Sequence, residues 1–200
     1  GAWIRDSMAG IGTMTYYDPE TGSFGALGHG ITDSDTGILM PFASGSLLPS
    51  AVKAVKKGAS GEAGELRGDF DLTGDLGDLS ANTSSGIFGT LDPGEFTERL
   101  GDAIPVASAG EVHTGPAAIL ANVEGDAVRE YDIEILQIVE DAADSRDLVI
   151  AVTDPELLSI TGGIVQGMSG SPILQDGKFA GAVTHVLLND PSKGYGILME

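Results

Sequence analysis

Glycine occupies thirty of the 200 positions and proline nine more. Inside a helix a Gly costs roughly 1 kcal/mol relative to Ala, and a Pro about 3 kcal/mol. A chain punctuated this often does not sustain long helices. It is expected to fold as many short strands joined by turns. Hydrophobic residues make up 42% of the chain and run through its whole length. A single domain of ordinary size, or two small lobes sharing one interface, fits these bounds. Folding at this length buries roughly 70% of the unfolded surface.

Charge narrows the partners. Thirty acidic residues against ten Lys and Arg give a formal net charge of −20. Such a surface repels phosphate backbones and anionic lipid heads, which argues against nucleic acid and against direct insertion into a membrane. No apolar run approaches the roughly 20 residues of a membrane span. The chain has no Cys. Disulfides, thiolate metal sites and cysteine nucleophiles are therefore excluded together. No signal-peptide pattern opens the sequence at Gly1, and an anchor or partner domain is expected outside these residues.

Turn signals divide the chain. "DPETG", with Pro19 and Gly22, separates two β-rich stretches, so residues 11–17 and 24–31 are expected to form a hairpin. Residues 38–57 are mixed, and "SAVKAVKKG", with Lys53, Lys56 and Lys57, suits a short strand or a helical turn ended by Gly58. Residues 58–86 are rich in Gly, Asp and Ser without periodicity, and read as a long acidic loop or a ragged edge hairpin. Further strands are expected at 104–108, 116–123, 128–139, 147–153, 172–175, 178–188 and 194–198. "DPELLSI" reads as a helical turn, with Asp154 as its cap and Pro155 at its first position. The pattern is that of an all-β sandwich or pair of barrels.

The strongest chemical signal is "GMSGSP", where Ser169 lies between Gly167 and Gly170 just before an expected strand. A nucleophilic Ser needs a tight turn that exposes its hydroxyl, and backbone N–H groups free to face a developing oxyanion. Gly supplies that freedom, so the N–H groups of Gly167 and Ser169 are the candidate oxyanion hole. An ordinary Gly/Ser turn would look the same locally. The G-x-S-x-G elbow does not fit, because Ser171 stands at its last glycine position.

Only three His are available as a base. His29, between Gly28 and Gly30, ends an expected strand beside an acid-bearing turn. His113 reads as a solvated loop residue. His185 lies on an apolar strand and reads as a structural histidine, whose loss should cost far less than loss of His29. The carboxylate that would orient the imidazole has three candidates, Asp33, Asp35 and Asp154. Asp33 and Asp35 suit a solvated turn, and Asp154 suits a helix cap. A calcium reading of "DSDTG" and "DFDLTGDLGD" fails on spacing. Gly37 falls where a ligand is needed, and Ser80 stands at the twelfth position of the second run.

The segments "GIGTMTYYDPETGSFGALGHGITDSDTG", "SGIFGTL", "VTDPELL" and "TGGIVQGMSGSPILQDGKFAGAVTHVLLNDPSKGYGI" together resemble the peptidase domain of the SpoIVB (stage IV sporulation protein B) family. The resemblance spans nearly the whole chain in the right order, except around 58–86. It implies one serine peptidase domain over 1–200, an all-β, chymotrypsin-like double β-barrel with short helical turns. The first barrel would fall at about 1–100 and the second at about 101–200. The family's catalytic His falls on His29, its Ser on Ser169 and its proposed acid on Asp154. That acid precedes Ser169 by 15 residues (169 − 154), a departure from the usual order of chymotrypsin-like enzymes. No metal or organic cofactor is implied.

The resemblance further implies a setting. Family members are exported to the space between the two forespore membranes of endospore-forming bacteria. They carry a membrane anchor and a PDZ domain, which these residues do not include. They cleave themselves and a membrane-embedded sporulation regulator, on a pathway that activates a late mother-cell sigma factor. The competing expectation from another class is an inactive, protease-shaped module that docks a regulatory protein.

Overall fold

The computed structural model describes residues 9–33, 35–98, 100–139 and 145–199. Strands β1 (Met14–Asp18) and β2 (Ser23–Ala26) form the expected hairpin. Its turn closes through the Gly22 N–H to the Asp18 carbonyl, 2.8 Å. The Asp18 carboxylate accepts from the Glu20 N–H and the Thr21 hydroxyl. Five short strands follow: β3 (Ser46–Leu47), β4 (Ser50–Lys56), β5 (Glu65–Phe70), β6 (Gly77–Thr83) and β7 (Gly86–Leu91). A five-stranded sheet runs in the order β1-β2-β7-β6-β3, while β4 and β5 pair as a separate hairpin.

The acidic stretch 58–86 is thus ordered into two strands. Its periodicity is hidden because β5 buries only Leu66 and β6 only Gly77. The lysine-bearing segment is strand β4, with Val52 buried.

After the short helix α1 (Glu95–Glu98) and a 3₁₀ turn at Ala109–Glu111, the second unit begins. It comprises β8 (Gly115–Ala121), β9 (Arg129–Ile138), β10 (Leu148–Val152), β11 (Pro172–Gln175), β12 (Lys178–Val186) and β13 (Lys193–Leu198). These close into a barrel in the order β10-β13-β12-β11-β8-β9, and helix α2 (Pro155–Thr161) interrupts it after β10. Residues 104–108 contribute one parallel bridge, Val106 to Phe179, rather than a strand. Pro105, which lacks an N–H, limits pairing there. A closed six-stranded barrel beside an open half-barrel is the chymotrypsin-like double-barrel architecture.

Alternation builds the closed barrel. In β9, Tyr131, Ile133 and Ile135 face inward, and Asp132, Glu134 and Leu136 face out. Ile119, Ile150, Leu148, Ile173 and Val183 complete a core with essentially no solvent access. The half-barrel is lightly filled, by Phe24, Ala26, Ile87 and Leu91. β12 is buried on both faces from Phe179 to Thr184. One face lines the barrel. The other meets the half-barrel, where a Cβ on Gly28 would lie 3.0 Å from Thr184 Cγ2 and 3.6 Å from Ala182 Cβ.

Candidate active site

The site forms where the end of β2 meets the turn before β11. Leu27 and Gly28 both take positive φ, 70° and 66°. For Leu this is strained. The two residues turn the chain sharply out of β2 and present His29, which is half-buried between the buried Gly28 and Gly30. His29 Nδ1 lies 2.9 Å from the Gly30 carbonyl. A carbonyl can only accept, so in the neutral ring Nδ1 carries the proton and Nε2 the lone pair.

Ser169 sits in a tight turn in which Gly167 and Gly170 have φ of 101° and 91°. A Cβ on Gly170 would stand 2.2 Å from the Thr13 carbonyl oxygen and 2.6 Å from the Leu27 nitrogen. Only Gly allows that approach. Thr13 fastens the two segments together. Its N–H donates to the Ser169 carbonyl (2.9 Å), its hydroxyl to the Gly167 carbonyl (3.2 Å), and its carbonyl accepts from the Leu27 N–H (3.1 Å). Ser169 Oγ donates to the Thr184 carbonyl, 3.0 Å. The next residue, His185, places its ring 4.9 Å from the His29 ring, centroid to centroid. The fold thus sets the segment that leads into His29 against the turn that carries Ser169, although residues 29 and 169 lie in different barrels.

The two candidate oxyanion donors are oriented by their peptide planes. A trans peptide directs its C=O and N–H in opposite senses. The Gln166 carbonyl is tied to the Leu66 N–H of β5 (2.8 Å), so the Gly167 N–H points away from that strand. The Met168 carbonyl is tied to the Ser171 N–H (3.0 Å), which likewise fixes the Ser169 N–H. Among the described residues no acceptor engages either N–H. The intervening Met168 N–H is used by Val165 (3.1 Å), and the Gly170 N–H by Val183 (2.7 Å).

Asp154 lies elsewhere in the constellation. It caps α2, where its Oδ1 accepts from the Leu157 N–H at 2.8 Å, with Pro155 at the first helical turn as expected. No hydrogen bond or ion pair joins it to His29 among the described residues, and the Nδ1 side of His29 faces the Gly30 carbonyl. The helix end takes Oδ1 of the carboxylate, as the local reading of a cap expects. Asp33 is half-buried and Asp35 exposed. The Asp33 carboxylate accepts from the Asp35 and Thr36 N–H groups and the Thr36 hydroxyl, which closes a local turn. His113 is exposed, as a loop residue should be, and its Nε2 pairs with Asp176 at 2.9 Å.

Three participants escaped the sequence. Thr13 and Thr184 act largely through backbone groups, which carry no residue signature. His185, 16 residues past Ser169 (185 − 169), was visible as one of three His, but its place on an apolar strand gave it a structural reading. No group of three or more His, Cys, Asp or Glu among the described residues could hold a metal.

A family model described as SpoIVB peptidase S55 matches residues 1–200, the whole chain. No curated protein matches it.

Proposed function

The chain belongs to the SpoIVB peptidase family and is a serine peptidase, a hydrolase of peptide bonds, and we propose that Ser169 is its nucleophile, His29 its general base and the N–H groups of Gly167 and Ser169 its oxyanion hole. The observation that supports this most is the fastening of the segment before His29 to the Ser169 turn by Thr13, with Ser169 on the Thr184 carbonyl and His29 against the adjacent His185, beside two N–H groups held open by their peptide planes.

Ser169 Oγ turns from the Thr184 carbonyl to His29 Nε2, which takes its proton as Oγ attacks the substrate carbonyl. The oxyanion that develops is met by the two N–H groups, already oriented and needing no rearrangement. The imidazolium returns the proton to the leaving amine. Water, deprotonated by the same ring, then hydrolyses the acyl-enzyme.

The substrates in this reading are a membrane-embedded sporulation regulator and the chain itself. The place is the space between the forespore membranes, and the outcome is activation of a late mother-cell sigma factor. Family membership supports this setting. Labelling with a fluorophosphonate probe tests the chemistry. The parent protein is expected to be modified on Ser169, found by peptide mass, and Ser169→Ala to be unlabelled and inactive. An unlabelled parent would favour a binding module and overturn the reading. A Ser169→Ala allele in an endospore former is expected to leave the regulator uncut.

A further inference from the structure

Resting on the assignment of His29 as base, we infer that His185 is a positioning residue that holds the His29 ring in its working orientation. Strict alternation from the inward Val183 would send His185 into the barrel. The register changes at this point: Val183 opposes Gly196 and His185 opposes Tyr195, so two steps on β12 face one on β13. That is a β-bulge, and a bulge re-aims the side chains beside it.

The extra residue is Thr184. Its side chain points at the half-barrel, toward Gly28, where a built Cβ would lie 3.0 Å from its Cγ2. Its hydroxyl is anchored on the Ser145 carbonyl at 2.8 Å. Its carbonyl receives the Ser169 hydroxyl. With Thr184 fixed at three points, His185 follows on the half-barrel side, and its ring packs on that of His29 at 4.9 Å with a 36° tilt.

Two restraints then act on the base. The Gly30 carbonyl holds Nδ1, and the His185 ring limits rotation of the imidazole about that bond. Nε2 is the ring nitrogen left for the nucleophile. Without the second ring His29 keeps one anchor and gains room to turn. A misplacement of about 1 Å can cost on the order of 10²-fold in rate. His185 reaches the reaction only through His29, so its removal should slow the chemistry at each competent site without removing sites.

The experiment is the phosphonylation rate of purified His185→Ala, His185→Leu and His185→Phe with a fluorophosphonate. The rate is expressed per competent site, counted from the labelled fraction at completion. His185→Ala and His185→Leu are expected to label to the parent end-point but on the order of 10²-fold more slowly. His185→Phe, which keeps a flat ring, should recover most of the rate. A per-site rate within threefold of the parent in His185→Ala overturns the inference, as does a loss confined to the number of sites. If His185→Ala does not fold, His185→Leu decides by the same criterion. An unlabelled parent would overturn the assignment of Ser169 instead, and this inference with it.

Discussion

Replacing Asp154 separates a helix cap from a catalytic acid, because Asn keeps one role and loses the other. The cap consists of the Leu157 N–H on Asp154 Oδ1 at 2.8 Å, at the start of a seven-residue helix. That helix buries Leu157 and Thr161 completely, so fraying it exposes core. Removing a side-chain cap costs about 1 kcal/mol, and Asn caps nearly as well as Asp. For a chain of this size 1 kcal/mol moves Tm by roughly 2–4 °C. Asp154→Ala is therefore expected to melt about 2–4 °C lower and Asp154→Asn within about 1 °C of the parent. An acid that orients the base predicts something else. Its Asn variant leaves geometry intact but loses on the order of 10⁴ in turnover. From the contacts at Asp154, both variants should keep per-site turnover within about threefold of the parent, since neither touches the groups that hold His29. Scanning calorimetry and active-site-titrated peptide hydrolysis read the two quantities independently. A thousandfold loss in Asp154→Asn at unchanged Tm would refute the cap and make Asp154 the acid that the family resemblance implies.

Other expectations follow from single contacts. Gly170→Ala forces a Cβ to within 2.2 Å of the Thr13 carbonyl at a φ of 91°. The backbone strain alone is of order 1–3 kcal/mol, and fluorophosphonate labelling should fail in any fraction that folds; parent-like labelling would show that the turn relaxes. Glu111 is held at about 2 by the Lys178 ammonium and then by Ser108, against an ordinary value of 4.5. Its folded value is the lower one, so its contribution is present above pH 4.5 and lost as pH falls toward 2. Glu111→Gln should therefore melt with a shallower acid slope across that window. His113 is raised above 6.5, first by the Thr114 carbonyl and then by Asp176. Its contribution is present below pH 6.5 and fades as pH rises through the raised midpoint, and Asp176→Asn should lower that midpoint in an NMR titration. The proposed acyl transfer uses only side-chain and backbone groups, so EDTA should leave turnover unchanged; inactivation reversed by zinc or calcium would contradict it.

What could be read in the chain was what one residue type states by itself. Gly flanking Ser169 marked a turn, and the structure gives both glycines positive φ. "DPETG" marked the first hairpin, and the strong apolar alternation of 129–138 marked β9. "TDPELL" marked a capped helix, and the structure gives Asp154 that cap. Illegible were features that depend on pairing partners. Strands β5 and β6 bury one residue each, so their sequence looks like a loop until a neighbour supplies the hydrogen bonds. The bulge at Thr184 leaves no compositional mark, yet it decides which way His185 faces. Thr13 reads as one Thr among many, and its importance lies in three hydrogen bonds to segments distant in sequence.

The hairpin hidden in the acidic stretch also explains how the proposed oxyanion hole would be held. The Gly167 N–H faces the site only while the Gln166 carbonyl stays on the Leu66 N–H. The Gln166 N–H is held in turn by the Gly64 carbonyl at 2.9 Å, and Leu66 itself packs over Gly167. The connection between β4 and β5 also reaches the loop between β12 and β13. There the Gly61 N–H meets the Leu188 carbonyl at 2.8 Å and Ser60 the Asn189 carbonyl at 2.9 Å. Gly167, with no Cβ and a φ of 101°, has little intrinsic resistance to a flip of the preceding peptide. What resists is the pairing with β5. On the proposed mechanism, the order of this segment and the competence of Ser169 are two readings of one equilibrium. A residue such as Leu66, remote from the bond being cut, bears on catalysis through its backbone N–H rather than through its side chain.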